Sequence, residues 1–456
     1  MTPRALQFAG SAVLLLLMCG FSSDQSLNNS ADFIVTSAPV YAPLAALRGQ
    51  ERFPQGAQLL LVHRGKPDPL IGNFAATADA SVSFDATHVL FAGKKSASDP
   101  WEIWELALSD KSLRQLTAGK EDAIRPLYLP DGRFAYAQLT PVGFQLQVRD
   151  LDGVPGAVQP LTFIRASAIP VDVLADGRIL FEAGFPLGSG ATPELFLVYS
   201  DGSGVESYRC DHGPARWGGK QLASGDVVFT HGNSLARFTS ALAHEERIVA
   251  PAAQYTGQIA EMSSGDWLVS AKKAGEKNSS VWSLKQGSAS LQIVLSEPSR
   301  DLTDPVLIAP HKTPKRHPSA LHPWDYSNLL ALNARISRDG TLRGTPATVR
   351  METEDADGHA QVLGTAPIDP DGSYFVKVPG DRPIRFAVLD AKGSVLRQER
   401  GWFWARVGEQ RYCVGCHAGP ERAPENRVPG VLLRTTTPVD LTGTAAAAQP
   451  VSAGGR

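Results

Sequence analysis

The chain has 456 residues and a formal net charge of −2, with 43% hydrophobic and 20% charged residues. That length exceeds what one compact core accommodates and suits two or three domains, and the near-neutral charge gives no reason to expect nucleic acid as a partner. Forty-two glycines and thirty-three prolines favour turns and strands over long helices.

In chain order, the first element is an export signal, assigned to residues 1–23. Arg4 precedes an apolar run from Ala12 to Met18, followed by the small and polar residues Gly20 to Ser23. The run is too short to span a bilayer, and no later stretch is apolar enough to do so. The expected location is therefore periplasmic or otherwise extracytoplasmic. Cys19 at the end of the run raises a lipoprotein anchor, although Met18 stands where a small residue normally precedes a lipidated cysteine.

A repeat follows, assigned to residues 40–308. A turn leading into a strand occurs at Phe84–Phe91, Pro130–Tyr136, Ala175–Phe181, Ser224–Phe229 and Ser264–Val269. From Val89 to Phe134, Ile179, Val227 and Trp267 the steps are 45, 45, 48 and 40 residues. A second marker keeps the period, since Leu116-Thr117 and Leu161-Thr162 lie 45 apart. Several short strands per 40–50 residues mark the blades of a β-propeller, because one blade cannot bury both faces by itself. Five repeats are visible. Gln58–His63 and Asp304–Ile308 are expected to join the two chain ends in a sixth blade. The motif resembles the PD40 (TolB-like) propeller repeat, which serves many functions.

Residues 309–325 shift to Pro, His and Lys, as an extended linker or a strap over the propeller. Residues 326–434 then read as a small β-sandwich, with hairpin turns expected at Asp369–Gly372 and Asp390–Gly393. The tail, 435–456, is rich in Thr, Ala and Gly and is expected to be disordered. The fold class is thus all-β, a six-bladed propeller followed by a sandwich.

The chemistry lies in Cys413-Val414-Gly415-Cys416-His417, the c-type haem attachment pattern. Two thiols on one tight turn reach two vinyl groups on the same porphyrin edge, and the adjoining His417 comes under the ring to bind iron. One covalent haem c is expected, held by Cys413 and Cys416. A redox dithiol and half of a zinc site are the other readings of the same residues. Trp402, Phe403, Trp404 and Tyr412 suit a haem wall or a buried sandwich edge. For the sixth iron position the candidates are Met262, Met351, His311, His317, His322 and His359, none specified by spacing. If none reaches the iron, the haem is open to a small ligand. Cys210-Asp211-His212 forms a second cluster, read as a partly buried thiol beside turn residues or as a metal site joining the two domains.

The segment from Gly401 through the motif to Pro429, together with Val362–Pro367, resembles the α subunit of hydrazine synthase, over residues 40 to 434 and most strongly over the last hundred. The resemblance implies haem on Cys413 and Cys416 and a propeller docked against the haem domain. In that family a second haem domain follows, and a tyrosine four residues past the motif histidine takes the iron, freeing the histidine for zinc. Here only one CxxCH occurs and that position is Glu421, so iron ligation by His417 is expected; if a zinc site persists, Cys210 or His212 is the first candidate to join His417. The functional expectation is an exported electron-transfer protein with a redox partner protein. The alternatives are a haem enzyme acting on small nitrogen or oxygen compounds, and a propeller binding module with a structural metal clip.

Overall fold

The computed structural model describes residues 31–152, 158–190, 192–209, 215–288, 290–337, 342–415, 423 and 426–443. Among these the chain is almost wholly β, and no helix is long and apolar enough to cross a membrane.

Six four-stranded antiparallel sheets succeed one another in the first part of the chain. Blade 2 is built from Ala76–Val82, His88–Lys94, Glu102–Ala107 and Leu113–Gln115; blade 3 from Ala123–Tyr128, Arg133–Thr140, Gly143–Asp150 and Gln159–Pro160. Blade 4 comprises Ala168–Val173, Ile179–Phe185, Thr192–Val198 and Glu206–Ser207. Blade 5 comprises Arg216–Gln221, Val227–His231, Ser234–Phe238 and Glu246–Arg247, and blade 6 Gln254–Glu261, Trp267–Lys272, Ser280–Leu284 and Leu291–Leu295. The repeated turn of the sequence is the hairpin between the first and second strand of each of these blades. The repeated threonine has one job in two blades: Thr117 Oγ1 accepts the Ile103 N–H at 2.8 Å and Thr162 Oγ1 accepts the Leu146 N–H at 3.0 Å.

Blade 1 closes the ring with both ends of the repeat region. Its order is Asp301–Leu307, Phe33–Ala38, Gln58–His63, Lys66–Pro69. The strand Phe33–Ala38 lies ahead of the start expected at residue 40 and sits between the two segments expected to meet, pairing Ile34 with Val306 on one side and Leu61 on the other. Every residue of it is buried, because alternate side chains face opposite neighbours. Phe33 and Val35 pack with Leu268 and Val281 of blade 6, and Ile34 with Val89 and Phe91 of blade 2.

The innermost strands share a bulge that aims side chains at the axis. The register shifts at Ala78/Ser81, Ile124/Leu127, Pro170/Asp172, Trp217/Lys220 and Thr256/Ala260, and opposite Ile34/Thr36 in blade 1. Asp79, Arg125 and Asp304 adopt left-handed φ of 60°, 55° and 53° there. Their side chains meet Arg52 in a buried layer: Arg52 pairs with Asp79, and Arg125 approaches Asp304 at 3.3 Å.

Beyond Leu307 the chain is a strap. His311 N–H bonds to Phe84 O and Lys315 N–H to Ala175 O, so it crosses the propeller face from blade 2 to blade 4. Below it lies a cavity of about 400 Å³, lined by Val82, Tyr128, Val171, Lys220, Gln258 and Val306 among others. Gly177 is required at the far anchor, since a Cβ there would stand 2.2 Å from Lys315 O.

The C-terminal part is a sandwich of two four-stranded sheets. One is ordered Gln410–Cys413, Tyr326–Ala331, Tyr374–Pro379, Val439–Asp440; the other Ala360–Pro367, Thr348–Glu354, Ile384–Leu389, Val395–Gln398. Leu329 and Val376 from the first meet Val349, Met351, Ile384 and Val388 from the second in one core. Two expectations are corrected. The turn at Asp390–Gly393 joins paired strands, whereas Asp369–Gly372 carries the chain from one sheet to the other. The chain also stays ordered past Arg434: Val439–Asp440 pairs in parallel with Val376 and Lys377, and Leu441 is buried.

Ring closure makes a prediction. Ile34→Ala opens a void between blades 1 and 2 and is expected to cost about 2–5 kcal/mol in urea denaturation, as deep aliphatic truncations do. A loss below about 1 kcal/mol would mean that the strand is not clamped from both sides.

Candidate haem-attachment site

Cys413 ends the edge strand Gln410–Cys413, which pairs in parallel with Tyr326–Ala331 so that Ala331 stands beside Cys413. The Cys413 carbonyl accepts the Leu332 N–H at 2.8 Å. Strand alternation turns Arg411 and Cys413 toward the sandwich interior and leaves Tyr412 on the outer face, 61% exposed. The Cys413 side chain packs on the rim of the sandwich core and has no disulfide partner among the described residues. Burial pushes its thiol pKa up, with Glu399 and Glu409 adding to the rise and Arg411 opposing it. Such surroundings suit a neutral sulfur, a thiol or a thioether, better than a metal thiolate. A half-buried sulfur at a sandwich edge therefore fits one end of a covalent haem. Cys416 and His417 lie outside the described residues, as do Cys210 and His212 of the second cluster.

The segment leading into the motif is locked to the propeller. Trp402 and Trp404 are not a haem wall: they are 5% and 0% exposed and belong to the core of blades 3 and 4, with Leu161, Ile164, Phe181 and Phe196. Trp404 Nε1 donates to Gly202 O at 3.0 Å, and Trp402 N–H to Leu187 O at 2.6 Å. Arg406 Nε donates to Asp201 O at 2.9 Å, while its Nη1 pairs with Asp381 at 2.6 Å. Glu409 closes the clamp, accepting the N–H groups of Gly204 at 3.1 Å and Arg406 at 2.7 Å. Arg411 donates to Val205 O and, at 3.3 Å, to Trp404 O. Its guanidinium lies 5.5 Å from the Phe403 ring centre, and its charge favours the ionised form of the Cys413 sulfur. The blade 4 segment 201–205 thus holds the strand that presents Cys413, and Val205 stands only five residues before Cys210. These docking residues escaped the sequence reading because nothing in local periodicity distinguishes a tryptophan buried in its own domain from one buried in its neighbour.

The candidates for a sixth iron ligand are engaged elsewhere or buried in the sandwich. Met262 packs with blades 6 and 1, and Met351 is fully buried in the sandwich core. His311 contacts Phe84, His317 stacks on Tyr199 at 3.8 Å and His322 on Trp324 at 4.2 Å. His359 sits in an exposed turn with Asp355 and Asp357, a trio close enough to share a cation. Asp355 already accepts the N–H groups of Asp357 and His359 there, so the turn explains the cluster.

The outer face beside the motif is covered by a one-turn helix, Gly430–Arg434, whose Val431 packs on Leu330 and Phe375. Asp371 anchors it, accepting Gly430 N–H at 2.6 Å. Partial burial would raise the Asp371 pKa, but hydrogen bonds from Ser373 and Gly430 outweigh it and hold the carboxyl below its ordinary value.

Two predictions follow from this geometry. Trp404→Ala is expected to destabilise the chain by about 3–5 kcal/mol and to expose the 309–325 strap to limited proteolysis; unchanged proteolysis would show that the domains dock without it. For Asp371 the folded pKa is depressed, so its stabilisation is present above the unfolded value of about 3.9 and is lost as pH falls through the folded one. Protection of the Val431 N–H, taken relative to intrinsic exchange at each pH, should therefore fall below about pH 4, and Asp371→Asn should abolish that fall.

Residues 330–418 match the family described as hydrazine synthase alpha subunit middle domain. No curated protein matches the chain. Among solved structures, hydrazine synthase of Kuenenia stuttgartiensis is similar with a TM-score of 0.75 at 16% identity, over 88% of this chain and 71% of that one. TolB from Acinetobacter baumannii aligns with a TM-score of 0.46 at 13% identity, over 63% of this chain and 68% of that one. The chain thus has the fold of the Kuenenia hydrazine synthase chain, and its segment 330–418 is related to the middle domain of the hydrazine synthase alpha subunit.

Proposed function

We propose that this chain is an exported c-type cytochrome in which one haem, attached at Cys413 and Cys416 and ligated by His417, is carried on a sandwich docked to a propeller. The observation that carries this reading is the position of Cys413, which ends a strand clamped to blade 4 by Trp404, Arg406 and Arg411. The match of residues 330–418 to a family named for the hydrazine synthase alpha subunit supports it further.

The bound group would supply one-electron exchange at iron. The chain's own residues hold Cys413 in a fixed register against Ala331, shield its sulfur on the rim of an apolar core and keep the segment from moving relative to the propeller. A rigid mount keeps the surroundings of a redox centre nearly the same in both oxidation states, as electron transfer requires. A separate redox protein is then the natural partner. Cleavage of the leader places the protein outside the cytoplasm, with lipidation at Cys19 as the form that would tether it.

A second reading rests on a specific observation. His311, His317 and His322 stack on Phe84, Tyr199 and Trp324, and Met262 packs into blades 6 and 1. With these candidates so engaged, and with no ligand supplied by His359 or by residues outside the described ones, the haem would be five-coordinate, and such a haem binds small nitrogen or oxygen compounds.

The test is a pyridine haemochrome assay on protein exported together with a cytochrome c maturation system. One covalent haem per chain is expected, lost in Cys413→Ala/Cys416→Ala; no covalent haem would overturn the reading and direct attention to zinc. Rapid CO binding by the reduced protein would select the five-coordinate form, and a six-coordinate low-spin spectrum the electron carrier.

A further inference from the structure

We propose that Arg411 is a positioning residue that fixes the strand ending at Cys413 against blade 4 and places a positive charge at the attachment edge of the haem; this rests on the cytochrome reading above. Arg411 occupies the position two residues before Cys413 on the same face of one strand. Its side chain is 19% exposed. One nitrogen donates to Val205 O of the propeller and another to Trp404 O, so the fork ties the strand both to blade 4 and to the docking tryptophan. A guanidinium suits this task because its donors are planar and fixed in angle, which a lysine cannot reproduce.

Among the described residues one carboxylate stands within ion-pair range of this charge, and its oxygens are shared. It belongs to Glu409, with Oε1 3.9 Å from Arg411 Nη1. That same Oε1 accepts Gly204 N–H, and Oε2 accepts Arg406 N–H. The other contacts of Arg411 among the described residues are carbonyl oxygens and the face of Phe403, which solvate a cation without neutralising it. Glu399 and Glu409 are the acidic groups that act on the Cys413 sulfur, and Arg411 is the cation that opposes them. A positive charge beside a haem edge favours the reduced iron, since reduction removes one positive charge from the centre.

Two readouts test this, and neither is moved by a merely structural role. The first needs no haem. In chain made without haem maturation and carrying Cys19→Ser, Cys210→Ser and Cys416→Ser, the pH profile of Cys413 alkylation reports the charge at the sulfur. Arg411→Gln, which still donates hydrogen bonds but is neutral, should move the midpoint upward and slow alkylation on the order of tenfold at a fixed pH below it. Arg411→Lys should leave the midpoint near that of the parent while lowering thermal stability through loss of the fork. Loosening of the strand alone would change the limiting rate at high pH and leave the midpoint in place.

The second readout is redox titration of the haem-bearing chain. Arg411→Gln should lower the reduced-to-oxidised ratio at a fixed poise on the order of tenfold, about 59 mV for a one-electron couple. An unshifted alkylation midpoint in a folded Arg411→Gln protein would overturn the role of Arg411 whatever the haem content. Parent protein without covalent haem would instead overturn the cytochrome reading, leaving the alkylation profile to decide Arg411.

Discussion

Every sheet in this propeller needs a neighbour on each face, and the ring satisfies that need only if its last sheet meets its first. Blade 1 meets it by combining Phe33–Ala38 with Asp301–Leu307, so that the two ends of the repeat region are hydrogen-bonded to each other. Ile34 and Val35, adjacent in sequence, pack toward blades 2 and 6 respectively. Closure fixes the point at which the chain leaves the propeller. From Leu307 the strap must cross the face to reach blade 4, where its residues meet Ala175, Tyr199 and Asp201. The sandwich is then delivered to the same blade.

That delivery is completed by a short stretch of unusual density. Between Trp402 and Arg411, aromatic burial and backbone hydrogen bonds act on the same few residues of blade 4, while an ion pair to Asp381 ties Arg406 to the sandwich. The two tryptophans contribute apolar burial, which is indifferent to direction, while Arg406, Glu409 and Arg411 supply the directional contacts that select one orientation. The strand that follows inherits that orientation and ends on Cys413.

The axis of the propeller carries a second kind of constraint. Left-handed bulges turn Asp79, Arg125 and Asp304 inward, where they balance Arg52 and Arg125 with two carboxylates. Buried charges of this kind contribute little net stability but penalise alternative pairings strongly, since removing one partner leaves the other stranded. The layer thereby favours one register of the inner strands.

Much of this was determined by the sequence by itself. The repeat spacing exposed the blades because each is a local hairpin array, with turn residues such as Gly132, Gly177 and Gly225 at left-handed φ that any chain adopting that turn must place. The CxxCH motif is equally local, five consecutive residues whose chemistry depends on their order. What only tertiary structure decided is long-range. Trp402 and Trp404 read as haem or sandwich residues and are buried in the propeller, and Val439–Asp440 reads as a disordered tail and joins a sheet. The turn at Asp369–Gly372 reads as a hairpin and instead switches sheets, because its own residues specify the bend but not which strands it connects. Local sequence encodes turns and alternation; partners hundreds of residues apart, such as Gly202 and Trp404, are chosen by which apolar surfaces remain uncovered once the ring has closed.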